Sequence, residues 1–372
     1  SLGALVRSHI PYFGGEKKTM IQKDAKAYHV LEILSMAGEV GEDMLSLLIP
    51  QPDYRKKILQ RLLLENKIVR YQKDGVKGYR LTISGKRWML QSDYNRFSYF
   101  LANGADASMR RSDLIHRKRQ HRLAEMMALF FLAGTNLFRD EKPNIFQEQP
   151  TEAKLSQSVF YSSKEWKDMG SLSTKVISSR GAGVWLTKNA VWLCYHLDGV
   201  TSWYGNVEKR ADILLRSVLQ EKGYSFSETR ALLFYSQTDI PILEAKRQAD
   251  IRDSPFEKFC CVPLDENGSL LLQILENAQM YQCLYQVLTE DLKSNAESNI
   301  INDGYNDALE PVLICFDFDI KRLLLFVMQL RYAQKKGEVI CFDFQKEGVK
   351  QYCDEATQIS TVDMEAVREN FF

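Results

Sequence analysis

Residues 61–85 read RLLLENKIVRYQKDGVKGYRLTISG, and this stretch decides the fold of the N-terminal part of the chain. It opens on the last turn of an apolar helical pattern that begins at Ile58. Residues 67–71 have the composition of a strand, Asp74-Gly75 is a tight-turn pair, and residues 79–82 have the composition of a second strand. The stretch therefore predicts a helix followed directly by a β-hairpin.

Two further helices are predicted upstream of this stretch. Apolar residues at helical spacing give one over residues 24–37 and a shorter one over residues 42–48. Pro50 and Pro52 end the second helix, and Asp53 is a suitable N-cap for the third. Three helices followed by a hairpin is the order of the winged helix-turn-helix domain, whose third helix enters the major groove of DNA and whose hairpin is the wing.

The third predicted helix has a polar and basic side that suits DNA. Arginine and glutamine side chains can reach base edges, and lysine pairs with phosphates. The contacts expected from this helix are Tyr54, Arg55, Lys56, Lys57, Gln60 and Arg61. The hairpin adds Lys73, Lys77 and Arg80 as expected phosphate or minor-groove contacts. The alternative is a solvated basic face on a winged helix that contacts other proteins.

The densest positive charge lies in residues 109–122, which contain six lysine or arginine residues. A single helix is predicted from Ser112, its cap, to Ala133. Its basic first half predicts further phosphate contacts from Arg117 and Arg119. The alternative is a solvated face whose arginine stems cover apolar surface.

The remainder of the chain alternates apolar strands with helices, which is typical of a sheet covered on both faces. Residues 183–186 and 190–196 predict a hairpin. Further strands are expected at residues 231–235, 259–262, 312–318 and 338–344. We therefore expect an α+β protein with a winged-helix domain over residues 20–95, a basic helix and connecting segment over 96–150, and a mixed α/β domain over 151–372.

Three acidic residues at strand ends supply the main hint of enzymatic chemistry. Asp317 and Asp319 follow one apolar strand, and Asp343 follows another. Acids at strand ends can converge on a divalent metal, as in a metal-dependent nuclease or a toprim-like enzyme. The alternative is that Asp319 caps the next helix and the other acids are solvated. Residues 180–183 are glycine-rich but match neither common phosphate-binding motif. No catalytic motif is recognisable, so a binding role is favoured over an enzyme, and neither a metal nor a cofactor is expected.

Bulk composition sets the remaining limits. The net charge is only +1, so nucleic-acid binding needs charge that is concentrated locally. No apolar run approaches the roughly 18 residues of a membrane-spanning helix, and the first residues lack the pattern of a secretory signal. The seven cysteines show no C-x-x-C spacing and several sit in apolar runs, as reduced buried thiols do. A cytoplasmic protein without membrane contacts is expected.

Several of these stretches together resemble a known family. The residues that carry the resemblance are Arg61–Lys67, Tyr79–Gly85, His121–Gly134, and Ser178–Tyr195 with Trp203. They are similar to replication-relaxation proteins of plasmids and integrative conjugative elements in Gram-positive bacteria. The resemblance implies a DNA-binding accessory or regulatory role in replication, transfer or transcription control of a mobile element, and a second domain with a nuclease-like fold. It implies double-stranded DNA as the partner, and we further expect a homodimer on a two-fold site and contacts with other replication or transfer proteins.

Overall fold

The computed structural model describes residues 25–101, 113–146, 155–167, 179–196, 205–226, 228–236, 245–294 and 299–371. These ranges form a mixed α+β protein that contains a two-stranded, a four-stranded and a five-stranded sheet. The helices are α1 (Lys26–Ala37), α2 (Glu42–Leu48), α3 (Pro52–Leu64), α4 (Ile83–Ser92), α5 (Tyr94–Leu101), α6 (Leu114–Leu132), α7 (Ser163–Trp166), α8 (Gly205–Glu221), α9 (Ala245–Arg252), α10 (Glu266–Glu276), α11 (Ala278–Thr289), α12 (Ile320–Ala333), α13 (Lys346–Lys350) and α14 (Met364–Phe371). The strands are β1 (Ile68–Lys73), β2 (Val76–Leu81), β3 (Val159–Ser162), β4 (Gly183–Leu186), β5 (Val191–His196), β6 (Thr229–Tyr235), β7 (Phe259–Pro263), β8 (Gly304–Tyr305), β9 (Pro311–Ile314), β10 (Gly337–Phe342) and β11 (Thr357–Val362).

The N-terminal helices and the hairpin come in the expected order, α1, α2, α3, β1 and β2. The two strands pair antiparallel from Ile68 opposite Leu81 to Lys73 opposite Val76. Asp74 (φ 52°) and Gly75 (φ 76°) join them, and both lie in the left-handed region. A two-residue turn of this kind needs positive φ at both positions, which is why Asp-Gly serves here.

The caps of two helices differ from the predicted ones. The helix α3 begins at Pro52 with Gln51 as its N-cap, because proline is well suited to the first helical turn, so Asp53 lies inside the helix. Thr82 caps α4, since its side chain accepts from the Gly85 amide. In α6 the cap is Asp113, whose carboxylate accepts from the His116 amide.

The helix α6 joins the N-terminal helices to the five-stranded sheet. It packs on α1 and α2 with one part of its surface and on α10 with another. Residues 126–130, in the apolar half of α6, are fully buried. The ring of Phe130 stacks on that of Phe160 in β3, with 4.6 Å between centroids, and contacts Trp185 in β4. A single apolar core therefore contains residues of α1, α6 and this sheet.

The five-stranded sheet has the order β3-β4-β5-β6-β7, and only β4 runs against the others. The predicted hairpin over residues 183–186 and 190–196 is confirmed as β4 and β5. All six residues of β5 are buried, because helices cover both faces: α6 and α10 lie on one side and α8 on the other. The predicted α/β character of this part of the chain is thereby confirmed.

The four-stranded sheet has the order β11-β10-β9-β8, and β8 is its antiparallel edge. The strand predicted over residues 312–318 ends at Ile314, because the chain turns directly after it: the Phe318 amide donates to the Cys315 carbonyl over 3.0 Å, and Phe318 takes a left-handed φ of 46°. An isolated bridge between Cys260 and Asp319 brings the two larger sheets together at this point.

Within the described ranges, no helix is both long and apolar enough to cross a membrane. Some predicted features lie outside those ranges. They are the start of the first helix at Asp24, the Ser112 cap, the arginines at positions 110 and 111, and Ser178 and Trp203 of the family resemblance.

Candidate nucleic-acid interface

The outward side of α3 carries most of the predicted contacts. Ile58, Leu59 and Leu62 are buried against the core, so the opposite side of the helix faces solvent. We call the exposed residues on that side the α3 outer face: Tyr54, Lys56, Lys57, Gln60, Arg61 and Leu64. Five of these six residues were expected from the sequence, and Leu64, which is 87% exposed, was not.

One cation of the α3 outer face has a nearby acid. Arg61 Nε donates to Glu65 Oε1 over 2.8 Å, one helical turn further along. Both side chains are about one-third to two-fifths exposed, so water screens the pair and its contribution to stability is small. Arg61 can therefore exchange Glu65 for another acceptor at little cost.

Arg55 does not belong to this face, and its predicted role in base contact is wrong for this structure. Its Nε donates to Glu42 Oε1 over 2.9 Å, and its Nη1 donates to the Ile49 carbonyl over 2.7 Å. The side chain is only 14% exposed. Helical spacing explains the difference, since residue 55 lies one turn before Ile58 and Leu59, on the inward side. Arg55 therefore holds α3 against the end of α2.

The hairpin tip presents two further cations. Lys73 and Lys77 flank the Asp74-Gly75 turn and are exposed. Arg70, further down β1, is exposed and lies 5.8 Å from the ring centroid of Tyr79. Lys73 and Lys77 are therefore accessible, and their predicted DNA contact stays a prediction.

Arg80 and Arg117 are turned inward, onto one buried carboxylate. Arg80 Nη2 lies 2.6 Å from Glu39 Oε2, and Arg117 Nη2 lies 2.6 Å from Glu39 Oε1. His121 Nε2 lies 2.9 Å from the same Oε1. We call Glu39, Arg80, Arg117 and His121 the Glu39 cluster. Glu39 and Arg117 have no exposed side-chain surface, so the predicted phosphate contact from Arg117 is wrong, and Arg80 at 12% exposure is largely committed to Glu39.

Arg117 also braces the hairpin directly. Its Nη1 donates to the Lys73 carbonyl over 2.6 Å, and its Nη2 donates to the Val76 carbonyl over 3.0 Å. Those carbonyls border the turn, so Arg117 fixes the hairpin tip relative to α6. Gly78 in β2 allows Glu39 and His121 to lie this close to the hairpin, because a Cβ at position 78 would lie 2.5 Å from Glu39 Oε1 and 2.8 Å from His121 Nε2.

The electrostatic balance of the Glu39 cluster is positive. Burial alone would raise the pKa of the Glu39 carboxyl, but hydrogen bonds with His121, Arg117 and Arg80 outweigh burial and lower that pKa to about 2. The carboxylate is therefore ionised at any ordinary pH and acts as the anchor for the basic residues around it.

Arg119 is exposed and lies on another side of α6. Two residues along a helix correspond to a rotation of about 200°, so Arg119 points away from Arg117 and the hairpin. It lines a cavity between α6 and the chain segments that border β3, β4 and β5.

Of the three acids in the enzyme hypothesis, two come together where the larger sheets meet. Asp317 Oδ2 accepts from Lys258 Nζ and from the Tyr281 hydroxyl, each over 2.8 Å. Asp319 caps α12, and its Oδ1 accepts from the amides of Lys321 and Arg322 and from the Phe259 amide. We call Lys258, Tyr281, Asp317 and Asp319 the Asp317 cluster.

The third acid, Asp343, is not part of this cluster. Its Oδ1 accepts from the Met364 amide, and in the described part of the chain no group of three His, Cys, Asp or Glu residues is placed to hold a metal ion.

Burial raises the pKa of Asp317, but Lys258 outweighs that effect and the pKa is lowered. Burial, followed by the negative charge of Asp317, raises the pKa of Asp319 to about 6. These acids therefore serve a salt bridge and a helix cap.

No protein-family model matches the chain, and no characterised protein or solved structure is significantly similar to it. Its function must therefore be argued from the geometry of its own residues. Sequence reasoning missed Glu39, which organises the basic residues of the hairpin. It also missed the grouping of Arg122, Lys167, Arg180 and His196 around the cavity beside Arg119. The local sequence carries no signal for this grouping, because the four residues come from separate segments.

Proposed function

We propose that the N-terminal part of the chain is a winged helix-turn-helix module that binds double-stranded DNA. In this proposal α3 is the recognition helix and the β1–β2 hairpin is the wing. The observation that carries it is the α3 outer face, where Lys56, Lys57, Gln60 and Arg61 are exposed while the apolar residues of the helix are buried. Three residues connect α2 to α3, which is the length of the turn in helix-turn-helix motifs.

The chemistry of the α3 outer face suits the major groove. The Gln60 amide can both donate to and accept from an adenine edge, and Arg61 can donate to guanine once it leaves Glu65. Lys56 and Lys57, together with Lys73 and Lys77 at the tip, supply four exposed cations for phosphates. If all four contact phosphates, the logarithm of the binding constant should fall with the logarithm of salt concentration with a slope of about −3.6.

In this proposal the protein is a cytoplasmic accessory or regulatory protein of a plasmid or conjugative element, acting in replication, transfer or transcription control. It binds DNA as a homodimer on a two-fold site, alongside other replication or transfer proteins. The part of the chain that contains the five-stranded sheet is a nuclease-like domain with no catalytic role. The Asp317 cluster supports that last point, since Lys258 and the α12 amides already occupy its two acids.

The test is binding of the full chain to random duplex DNA at two salt concentrations. The variant Lys57→Ala/Gln60→Ala/Arg61→Ala removes two positive charges and the amide from the α3 outer face. Its matched control, Lys335→Ala/Lys336→Ala, removes two exposed charges near the end of α12. We expect the wild-type affinity to fall steeply with salt, and the α3 variant to bind at least tenfold more weakly than the control. Equal affinity of the two variants would contradict the assignment of α3.

One observation favours protein contact as a second function of the same module. Leu64 is 87% exposed on the α3 outer face, and Val69 at the start of the hairpin is 46% exposed. Exposed apolar side chains of this kind are typical of interaction surfaces when they are contiguous. Salt separates the two functions, because phosphate contacts release counterions and apolar contacts do not. A Leu64→Ser variant that changes the oligomeric state but leaves DNA affinity intact would assign Leu64 to the protein contact.

A further inference from the structure

A cavity of about 400 Å³ lies beside α6, on the side away from the hairpin. Five of its lining residues are basic: Arg119, Arg122, Lys167, Arg180 and His196. Ser163, Ser179 and Gly181 add polar and backbone groups. Among the described residues that line it there is no aspartate or glutamate, so its ionisable side chains are all basic. A cavity of this volume falls in the range of about 300 to 1,000 Å³ that holds small ligands.

The fold brings these cations together from three directions. Arg119 and Arg122 are three residues apart on α6 and therefore share one side of the helix. Lys167 follows α7, and its Nζ donates to the Ser179 carbonyl over 2.8 Å. Arg180 lies in the segment that enters β4, and His196 ends β5.

A buried carboxylate outside the cavity fixes the segment that carries Arg180. Glu208 on α8 has no exposed surface, and it accepts from the Arg180 amide over 2.8 Å and from the Ser179 hydroxyl over 2.9 Å. Gly181 packs against Trp166, since a Cβ there would lie 2.7 Å from the indole ring. The backbone of this wall is therefore preorganised without placing a negative charge in the cavity.

His196 adds a polar residue to the wall of the cavity. The residue is only 7% exposed and lines the cavity. Its Nε2 lies 3.4 Å from Glu125 Oε2, and its Nδ1 is buried, so Nδ1 itself does not face the cavity.

The charges around the cavity also repel one another. Burial lowers the pKa of Lys167 to about 8; Glu208 acts against this shift, and Arg119 and Arg180 add to it. An anion in the cavity would relieve that repulsion and favour the charged form of Lys167.

We propose that this cavity binds a phosphate monoester. Arginine guanidinium groups match phosphate oxygens in pairs, and Lys167 adds a point charge. His196 adds a largely buried imidazole to the same wall. The phosphate belongs either to a free nucleotide or to the 5′ end of a DNA strand. This site is separate from the α3 outer face and does not depend on duplex binding by α3.

The experiment is titration calorimetry of the full chain. Deoxyadenosine 5′-monophosphate is compared with deoxyadenosine, and one duplex is compared with and without 5′-phosphates. Arg119→Gln is the main variant, because the exposed position tolerates substitution, and Arg180→Gln is a second variant from another wall. Lys118→Gln is the matched control, since it removes the same charge from an adjacent exposed position on α6 that does not line the cavity.

We expect phosphate-dependent binding that falls roughly tenfold to hundredfold in each cavity variant and stays within about twofold of wild type in Lys118→Gln. If the phosphate raises the affinity only in the mononucleotide comparison, the ligand is a free nucleotide. If it raises the affinity only in the duplex comparison, the ligand is the 5′ end of a DNA strand. The proposal is overturned if neither phosphate is bound, or if Lys118→Gln loses as much affinity as Arg119→Gln. The variant Lys57→Ala/Gln60→Ala/Arg61→Ala should still bind the phosphorylated ligands more tightly than the unphosphorylated ones. The cavity can therefore be tested even if α3 does not bind DNA.

Discussion

The Glu39 cluster and the Asp317 cluster both hold a buried carboxylate but differ in how many acids the cations must balance. Glu39 is surrounded by Arg80, Arg117 and His121, so positive groups outnumber the acid, and the pKa of Glu39 is lowered to about 2. Asp317 is bonded to one cation, Lys258, which lowers its pKa, but a second acid, Asp319, lies close by. Burial, followed by the charge of Asp317, raises the pKa of Asp319 to about 6.

The difference shows how each cluster uses residues that look functional in the sequence. In the Glu39 cluster, arginines expected on DNA clamp the hairpin to α6 instead. In the Asp317 cluster, Asp317 pairs with Lys258, and Asp319 bridges to Cys260 and caps α12, although both acids were expected on a metal. The positive charges that neither cluster uses lie on the α3 outer face and around the cavity beside Arg119.

The largest expected effect is the loss of Arg117. An Arg117→Met substitution leaves Glu39 with fewer cations and leaves the Lys73 and Val76 carbonyls without their donor. We expect the free energy of unfolding to fall by about 4 kcal/mol, which is typical of the loss when one partner of a buried ion pair is removed. Urea denaturation measures it, with Lys118→Met as the exposed control. A loss below about 1 kcal/mol would mean that the hairpin does not depend on this cluster.

The next effect is the acid dependence of Glu39. Because its folded pKa is lowered from the usual value near 4.5 to about 2, its stabilisation is present above pH 4.5 and is lost as pH falls toward 2. That shift corresponds to about 3 kcal/mol. Glu39→Gln should therefore be less stable than wild type by about this amount at pH 7, and the gap should narrow as the pH falls. Denaturation at pH 7, 5 and 3 measures the gap, and a constant gap would contradict the charge balance described for the Glu39 cluster.

The contribution of Asp319 to stability should change with pH in the opposite direction. Its folded pKa is raised to about 6, so its contribution is present below the unfolded pKa near 4 and is lost as pH rises through 6. An asparagine side chain at this position would keep an oxygen for the α12 cap without the charge. We expect Asp319→Asn to gain about 2 kcal/mol relative to wild type between pH 4 and pH 7, as measured by urea denaturation at the two pH values. A variant that loses stability over the same interval would show that the ionised carboxylate is needed there.

The smallest effect on stability is expected at the hairpin tip. Lys73 and Lys77 are exposed and outside both clusters, so Lys73→Ala/Lys77→Ala should change the free energy of unfolding by less than about 0.5 kcal/mol. The same variant should reduce the slope of DNA affinity against salt by about 2. An unchanged slope would remove the tip from the proposed DNA interface.

Much of the fold followed from local patterns. The apolar spacing around Ile58 and Leu62 predicts α3, and Asp74-Gly75 predicts the hairpin turn, because both depend on near neighbours in the chain. The extent of β9 was overestimated, since the left-handed Phe318 arises where two sheets meet and has no local signal. The roles of Arg55 and Arg117 were missed for a similar reason, because their partners lie in other elements.

Local sequence patterns were sufficient to predict some elements, among them α3, the β1–β2 hairpin and the β4–β5 hairpin, and to show where positive charge is concentrated. Hydrophobic periodicity and turn chemistry are local properties, so residues within one or two turns suffice to reveal them. Only the tertiary structure decided which charges are used inside the molecule. Arg117 and Arg119 are two residues apart in the same basic run, yet one is buried against Glu39 and the other lines an open cavity. A helix turns by about 200° over two residues, so Arg117 and Arg119 lie on different sides of α6. The elements that pack on each side determine whether an arginine bonds to the hairpin or faces the cavity.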